Sequence, residues 1–249
     1  NGETITALAF VFRNAESNIV GRAEDGGDIF HYLPPTTAGP GYQSHQVDGN
    51  LLAIESGTHT SSVQAYTDDI IRIGFHSDTA YISPPHPAVR LSPGSMGTVT
   101  ELEDYLLYET ESTTAVIQKV PLHFSFVHMG DTLLQEEGGF SLNGEEVQLR
   151  FRAGEEEAYH GTGFRAVDMN LRGRTLDMYN QAQYGYSAGA ENLNICIPFV
   201  VSTKNYGLYF DHQYPATLDM ASQDGRLHYQ CPDTTLSYFF IGGAEMPDI

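Results

Sequence analysis

The sequence is poor in basic residues and cysteine, lacks tryptophan, and contains no long apolar run. Lysine and arginine together number 12 against 32 aspartates and glutamates, which gives a formal net charge of −20. Nucleic acid, a polyanion, would be repelled by this charge, and the basic stripe that phosphate recognition needs is missing. An anionic membrane surface is disfavoured for the same reason. Neutral ligands such as sugars remain open.

Further absences exclude other classes of protein. No stretch approaches the roughly 20 apolar residues of a membrane helix. Cys196 and Cys231 are too few for a disulfide framework, and their apolar and aromatic neighbours predict structural free thiols. No His-x-His, His-x-x-x-His or Cys-x-x-Cys spacing occurs, so we predict neither a metal site nor a cofactor. The Gly-x-Ser-x-Gly nucleophile elbow and the phosphate-binding loop are also absent.

Short strand-like runs, rich in β-branched and aromatic residues and bounded by turn residues, dominate what is present. In the segment 71–75, Ile71, Ile73 and Phe75 alternate with other residues, which places all three on one face of a strand. The runs predict strands at 4–12, 51–54, 62–66, 70–75, 105–108, 115–120, 122–127, 147–151, 195–201, 207–210, 227–230 and 236–241.

Helical patterns are nearly absent, and 25 glycines and 12 prolines interrupt the chain too often for long helices. Many short strands separated by turns predict an all-β protein, an antiparallel β-sandwich rather than alternating βαβ units. We expect long surface connections at 32–41 and 83–97, where prolines and glycines concentrate. The length suits a single large domain.

Acidic clusters are the first candidates for chemistry, because glycoside hydrolysis requires two carboxyl groups at a fixed separation. Such clusters lie at 68–69, 101–104, 136–137, 145–146 and 155–157. In so acidic a chain we interpret each one as a solvated turn or strand end, because adjacent residues of a strand point to opposite faces. The acidic spacing alone identifies no catalytic residue.

Gly161 and Gly163 indicate a β-bulge or tight turn.

The C-terminal third contains six short motifs in a fixed order. They lie at 157–163, 171–174, 178–180, 197–199, 206–211 and 236–243, and they include Leu-Arg-Gly-Arg, Ile-Pro-Phe and Tyr-Gly-Leu-Tyr-Phe-Asp. Order and spacing together resemble the N-terminal domain of glycoside hydrolase family 31, the α-glucosidase and α-xylosidase family. The earlier segment 65–73 resembles another strand of that domain. The specific resemblance covers about a third of the chain.

The resemblance implies a galactose-mutarotase-like β-sandwich, or supersandwich, over residues 1–243, which agrees with the strand pattern. Residues 244–249 would begin a linker to a (β/α)8 barrel outside this chain. In the family both catalytic carboxylates are aspartates of that barrel, so we expect no catalytic residue here and no activity from the 249 residues alone. The segment 168–170 resembles part of the family's nucleophile motif, but Ala166 and Leu171 replace its tryptophan and glutamate, and we interpret it as a polar turn.

The resemblance also implies a substrate contact in the loop that runs from Tyr179 to Gly189. Family members use this loop to help form the subsite for the leaving group. Asn180 and Gln181 offer hydrogen bonds to sugar hydroxyls, and Tyr184 and Tyr186 offer flat faces to a pyranose ring, with plain packing as the alternative for both tyrosines. Ala182 stands where many members carry an aspartate, so the leaving-group preference stays open.

Three functional hypotheses result. The first is an accessory domain of a retaining α-glycosidase, preferably an α-glucosidase, whose partner is an α-linked oligosaccharide or glucoside. The second is a free-standing aldose 1-epimerase, because segment 211–214 is similar to the Asn-His-x-Tyr segment of those enzymes. The third is a carbohydrate-binding module.

Several properties stay open in the sequence. The sugar, its linkage, the choice between hydrolysis and transglycosylation, and the oligomeric state cannot be assigned from the residues. A bacterial periplasmic or secreted location is favoured over a cytoplasmic one. Under the first hypothesis, the face that packs on the barrel should be unusually apolar for a monomer surface.

Overall fold

The computed structural model divides into two units, Asn1–Ala38 and Gly39–Ile249. The described residues are 7–10, 12–13, 20–21, 29–32, 41–57, 59–76, 85, 87, 89–94, 97–143, 146–182, 184–222 and 224–249. Most of the predicted connection at 32–41 and part of that at 83–97 lie outside these ranges. The first unit contributes two antiparallel strand pairs: β1 (Ala7–Phe10) with β4 (Ile29–Tyr32), and β2 (Phe12–Arg13) with β3 (Val20–Gly21).

The second unit is built from short strands joined by turns. In chain order they are β5 (Ser44–Asp48), β6 (Leu51–Ser56), β7 (His59–Ala65), β8 (Ile70–His76), β9 (Thr98–Glu101), β10 (Tyr105–Glu109), β11 (Thr113–Lys119), β12 (Leu122–His128), β13 (Asp131–Gln135), β14 (Ser141–Asn143), β15 (Glu146–Arg152), β16 (Tyr159–Gly163), β17 (Thr175–Met178), β18 (Cys196–Ser202), β19 (Tyr206–Phe210), β20 (Ala216–Met220), β21 (Arg226–Cys231) and β22 (Leu236–Gly242).

These strands form three antiparallel sheets. The large sheet has the order β16-β18-β19-β22-β8-β7-β6-β5, and the two five-stranded sheets have the orders β13-β12-β11-β10-β9 and β14-β15-β21-β20-β17. A bridge between Glu136 and Phe151 connects the two smaller sheets. A 3₁₀ turn at Met246–Asp248 is the one helical element in the described ranges. Nowhere in those ranges is there a helix with the length and apolarity needed to span a membrane.

Aromatic side chains join the large sheet to both smaller ones. Phe240 of β22 stacks on Phe126 of β12 with ring centroids 4.4 Å apart. Phe210 of β19 stacks on Tyr229 of β21 at 4.0 Å. Pairs of this kind contribute about 0.5–1.5 kcal/mol beyond the burial of their area. The predicted all-β antiparallel sandwich is therefore confirmed, with its core between the large sheet and the two smaller sheets.

The alternation that predicted β8 is confirmed, but both faces of that strand are buried. Ile71 and Ile73 are fully buried in the sandwich core. On the opposite face Arg72 and His76 are only 3% and 1% exposed. Burial, and secondarily the neighbouring guanidinium of Arg72, lower the pKa of His76 to about 4. The imidazole is therefore neutral inside the protein at physiological pH.

The interpretation of the acidic clusters as solvated turns is wrong for Glu136, which is 1% exposed. The Tyr238 hydroxyl donates to its Oε1 at 2.6 Å, and the backbone N–H of Phe124 donates to its Oε2 at 3.0 Å. Burial raises the pKa of Glu136 to about 7, although both hydrogen bonds favour the charged form. This carboxyl group is stabilised at the junction of all three sheets by partners that are distant in sequence.

The same interpretation is wrong for Glu157, which is 4% exposed. Its Oε1 accepts hydrogen bonds from Ser202 Oγ at 2.5 Å and from the Tyr206 hydroxyl at 2.6 Å. Its Oε2 accepts a hydrogen bond from the backbone N–H of Gly154 at 2.7 Å and lies 3.5 Å from Lys204 Nζ. Because its oxygens are bonded inside the protein, Glu157 fixes the turn before β16 to β18 and β19.

The predicted bulge at the two glycines is confirmed. The pairing of β16 with β18 shifts register between Gly161 and Gly163. Both glycines have positive φ, at 102° and 94°, a conformation that side-chain-bearing residues rarely adopt. The bulge bends the edge strand of the large sheet just before the segment that contacts the predicted substrate loop.

Candidate functional site

The predicted sugar-binding residues lie in the connection between β17 and β18, which we call the 179–195 loop. Asn180 and Gln181 are exposed near its start. Tyr184 is 96% exposed and Tyr186 is 56% exposed. Packing therefore does not account for the position of Tyr184, whose ring is almost entirely open to solvent.

Two amide side chains fix the base of the 179–195 loop. Asn180 Oδ1 accepts a hydrogen bond from the backbone N–H of Cys196 at 2.5 Å. Asn192 Nδ2 donates to the carbonyl oxygen of Tyr179 at 2.6 Å. The carbonyl end of Asn180 thus serves the fold, and its amide nitrogen stays available to a ligand.

The returning arm of the loop pairs with the segment that follows the bulge. The backbone N–H of Phe164 donates to the carbonyl of Ile195 at 2.9 Å, and that of Leu193 donates to the carbonyl of Phe164 at 3.1 Å. The N–H of Ala166 donates to the carbonyl of Ala190 at 2.8 Å. The loop therefore has a hydrogen-bonded stem and an exposed tip.

Arg165 connects the stem to three strands. Its Nε donates to Thr162 Oγ1 at 2.6 Å, and its Nη1 donates to the carbonyl of Glu191. Its Nη2 lies 3.4 Å from the carbonyl of Asp177 and 3.7 Å from Cys196 Sγ. Burial lowers the pKa of Arg165, while Cys196, Glu191 and Asp177 favour its charged form. One guanidinium group thus holds β16, β17, β18 and the loop together.

Three depressions surround the base of the loop, with volumes of about 270, 200 and 490 Å³. Gln181 lines the first, Asn180 the second and Tyr186 the third, whereas Tyr184 lines none of them. Tyr179 lines both the first and the second. The four predicted residues therefore share one loop but do not line a common depression.

The second depression contains the histidine of the epimerase hypothesis. His212 Nε2 lies 3.3 Å from Asp233 Oδ2. Burial lowers the pKa of His212, and the carboxylate of Asp233 opposes that effect. An epimerase pairs a histidine acid with a glutamate base, yet no glutamate is found among the described residues that line this depression. Among its described lining residues the depression therefore contains the histidine of that pair but not the glutamate.

Large apolar side chains are exposed around the loop. Phe164 is 63% exposed, Tyr186 56%, Ile195 42%, Ile197 47% and Tyr214 58%. Three of them, Phe164, Tyr186 and Ile195, share the third depression. We call the four residues other than Tyr186, which belongs to the loop tip, the loop-base patch. Such a concentration of apolar surface is typical of a face that contacts another protein surface or a ligand.

The cysteines are free, as predicted, with Cys231 buried and Cys196 half-buried. Burial raises the pKa of Cys231 to about 12 and also raises that of Cys196. Both thiols are therefore protonated at neutral pH. In the ranges that the structure describes, no group of three or more His, Cys, Asp or Glu is placed to hold a metal ion.

Sequence reasoning missed Arg165 and Asn192, which hold the loop in place. Arg165 directly follows the Gly-x-Gly-Phe segment and is one of only 12 basic residues, which is the one local signal it carries. Its partners lie up to 31 positions away, so their meeting depends on the strand pairing. The same applies to Asn192, whose partner Tyr179 lies 13 positions earlier.

Comparison with protein families gives a match over most of the second unit. The model of the glycosyl hydrolase 31 N-terminal galactose mutarotase-like domain matches residues 60–219. The match includes the bulge, Arg165 and the whole 179–195 loop. No curated protein matches the sequence.

Solved structures of glycoside hydrolases share the fold. The GH31 dextranase of Flavobacterium johnsoniae, complexed with glucose, superposes with a TM-score of 0.74 at 19% identity, over 82% of this chain and 26% of that chain. The cycloalternan-forming enzyme from Listeria monocytogenes, complexed with a pentasaccharide substrate, gives 0.71 at 20% identity, over 88% and 22%. The GH31 α-xylosidase from Xanthomonas citri gives 0.55 at 26% identity, over 74% and 19%. The chain thus spans about a quarter of their length or less.

Proposed function

Because this chain belongs to the glycosyl hydrolase 31 N-terminal galactose mutarotase-like domain family, we propose that it is the accessory domain of a retaining α-glycosidase and contributes the 179–195 loop to the subsite for the leaving group. The preferred activity is that of an α-glucosidase acting on α-linked glucosides or oligosaccharides. The two carboxyl groups that such a double displacement requires would lie on a barrel domain outside these residues. The fragment itself would be inactive.

The observation that carries this proposal is the contrast between the stem and the tip of the loop. Arg165, Asn180 and Asn192 hold the stem through hydrogen bonds. The tip nevertheless leaves Tyr184 almost entirely exposed and Tyr186 more than half exposed. A structured loop that presents aromatic rings to solvent suits a contact outside the domain, because a pyranose ring packs its apolar side on such faces.

Charge and surface composition support the same assignment. A net charge of −20 disfavours anionic ligands and leaves neutral sugars open. The loop-base patch supplies the apolar face that a neighbouring barrel would cover. Among proteins with this fold, solved complexes contain glucose and isomaltotriose bound to the dextranase. The epimerase hypothesis is less favoured because no glutamate is among the described residues that line the depression of His212.

The test uses the parent polypeptide, with this domain joined to its barrel, and two substrates with different leaving groups. Tyr186→Ala is expected to lower kcat/KM for maltose about tenfold, since a sugar leaving group loses its packing surface. The same variant should hydrolyse α-glucosyl fluoride at the wild-type rate, because fluoride cannot contact the loop. Tyr105→Ala, at a partly exposed tyrosine of β10, is the matched control.

Equal losses on both substrates would point to a general disturbance of the barrel rather than a leaving-group contact. Unchanged kinetics on maltose would remove the loop from the substrate path. Either result would overturn the proposed role of the 179–195 loop.

A further inference from the structure

The first depression at the base of the loop forms a groove on the outer face of a five-stranded sheet. Its floor contains a row of side chains in cross-strand register, in which Asp177 of β17 faces Thr217 of β20 and Thr217 faces Gln230 of β21. Neighbours in such a row stand about 5 Å apart on the same face of a sheet. The floor therefore presents a carboxylate, a hydroxyl and an amide in line.

The sides of the groove add further polar groups and one aromatic ring. Tyr179, which is 53% exposed, lines it together with Gln181 and Glu146. The hydrogen bond from Asn192 to the carbonyl of Tyr179 holds the backbone of that side in place. An aromatic face beside carboxylate and amide groups is the combination that recognises the apolar and hydroxylated sides of a sugar ring.

The three side chains of the groove floor differ from Asn192, which also lines the groove, because in the described part of the chain they form no hydrogen bond. The carboxylate of Asp177 nevertheless favours the charged form of Arg165. The adjacent row of the same sheet behaves differently, because Thr175 Oγ1 donates to Asp219 Oδ2 at 2.6 Å. The row of Asp177, Thr217 and Gln230 therefore keeps donors and acceptors available for a ligand, whereas Thr175 and Asp219 pair with each other.

We infer that this groove binds a neutral sugar without the barrel, with sugar hydroxyls bonded to Asp177, Thr217 and Gln230 beside the ring of Tyr179. The groove shares Gln181 with the 179–195 loop. Its volume of about 270 Å³ lies just below the roughly 300–1,000 Å³ of pockets for drug-sized ligands, which suits a single sugar unit. The carboxylates of Asp177 and Glu146 would repel an acidic sugar. This inference goes beyond the proposed function, because the site belongs to the domain alone and needs no barrel.

The test titrates the 249-residue chain with isomaltotriose and follows backbone amide signals by NMR. Saturable shifts are expected at residues 177, 217 and 230. Gln230→Ala is expected to raise the dissociation constant about tenfold. Gln118→Ala, at a partly exposed glutamine of β11, should leave the dissociation constant unchanged. Glucuronate should bind at least about tenfold more weakly than glucose because of the two carboxylates.

Absence of saturable binding would overturn the inference, as would shifts confined to the loop tip at residues 184–186. The amide shifts of the wild-type chain decide the location even if the Gln230→Ala variant fails to fold. The titrated chain contains no barrel, so an absence of binding here would not change what the leaving-group kinetics show about the 179–195 loop. Conversely, sugar binding here would persist if the loop had no part in hydrolysis.

Discussion

Replacing Glu136 with glutamine is expected to stabilise the protein relative to wild type by an amount that increases as the pH rises from 5 to 8. The gain over wild type in the free energy of unfolding should grow by about 2–3 kcal/mol across this range. The reason is burial, which raises the pKa of Glu136 from 4.5 to about 7. Chemical denaturation of both proteins at pH 5 and pH 8 measures the effect.

The direction follows from proton linkage. The folded state holds the Glu136 proton more tightly than the unfolded chain does, so its contribution is fully present below pH 4.5 and is lost as the pH rises through about 7. Glutamine mimics the protonated acid, because its side-chain NH₂ can donate a hydrogen bond to the Tyr238 oxygen as the protonated carboxyl group can. Glu103→Gln, at an exposed position, is the control. A difference between Glu136→Gln and wild type that stays constant with pH would contradict the account.

Gly163→Ala is expected to destabilise the protein by roughly 3 kcal/mol. A Cβ added at Gly163 would lie 2.2 Å from the carbonyl oxygen of Ile195, and the φ of 94° is already unfavourable for alanine. Because the obstacle is backbone, a side chain cannot rotate away to relieve it. Thermal or denaturant unfolding of the variant measures the loss.

The control for this prediction is Gly49→Ala, in the turn between β5 and β6. Gly49 also has a positive φ, at 60°, but no atom of the described residues lies within 4 Å of an added Cβ. That substitution should cost only the backbone strain, about 1 kcal/mol. Equal losses at the two positions would show that Ile195 moves aside easily and that the hydrogen bonds of the loop stem do not hold it in place.

The strands could be predicted from the sequence wherever alternation was strong. The runs at 70–75 and 122–127 correspond to β8 and β12, extended by one residue each. Strands such as β5 (Ser44–Asp48) and β20 (Ala216–Met220) were missed because they mix polar residues with few β-branched or aromatic ones. Their strand conformation comes from pairing with neighbours, which a local pattern does not reveal.

The candidate site was predictable only through the order of family motifs. The motif at 178–180 located the loop, but its hydrogen-bonded stem depends on contacts across the sheet edge. Glu136 shows the same limit, because its partner Tyr238 lies 102 positions later in the chain. An acidic pair in a sequence looks solvated until the fold places a hydroxyl and a backbone N–H beside one member.

The most direct test of the central claim is the size and activity of the native polypeptide in its source cells, captured with an antibody raised against these residues. The account predicts a band of roughly twice 27.4 kDa or more, as an added barrel requires, and hydrolysis of maltose by the captured protein. A band near 27.4 kDa without glycosidase activity would contradict it.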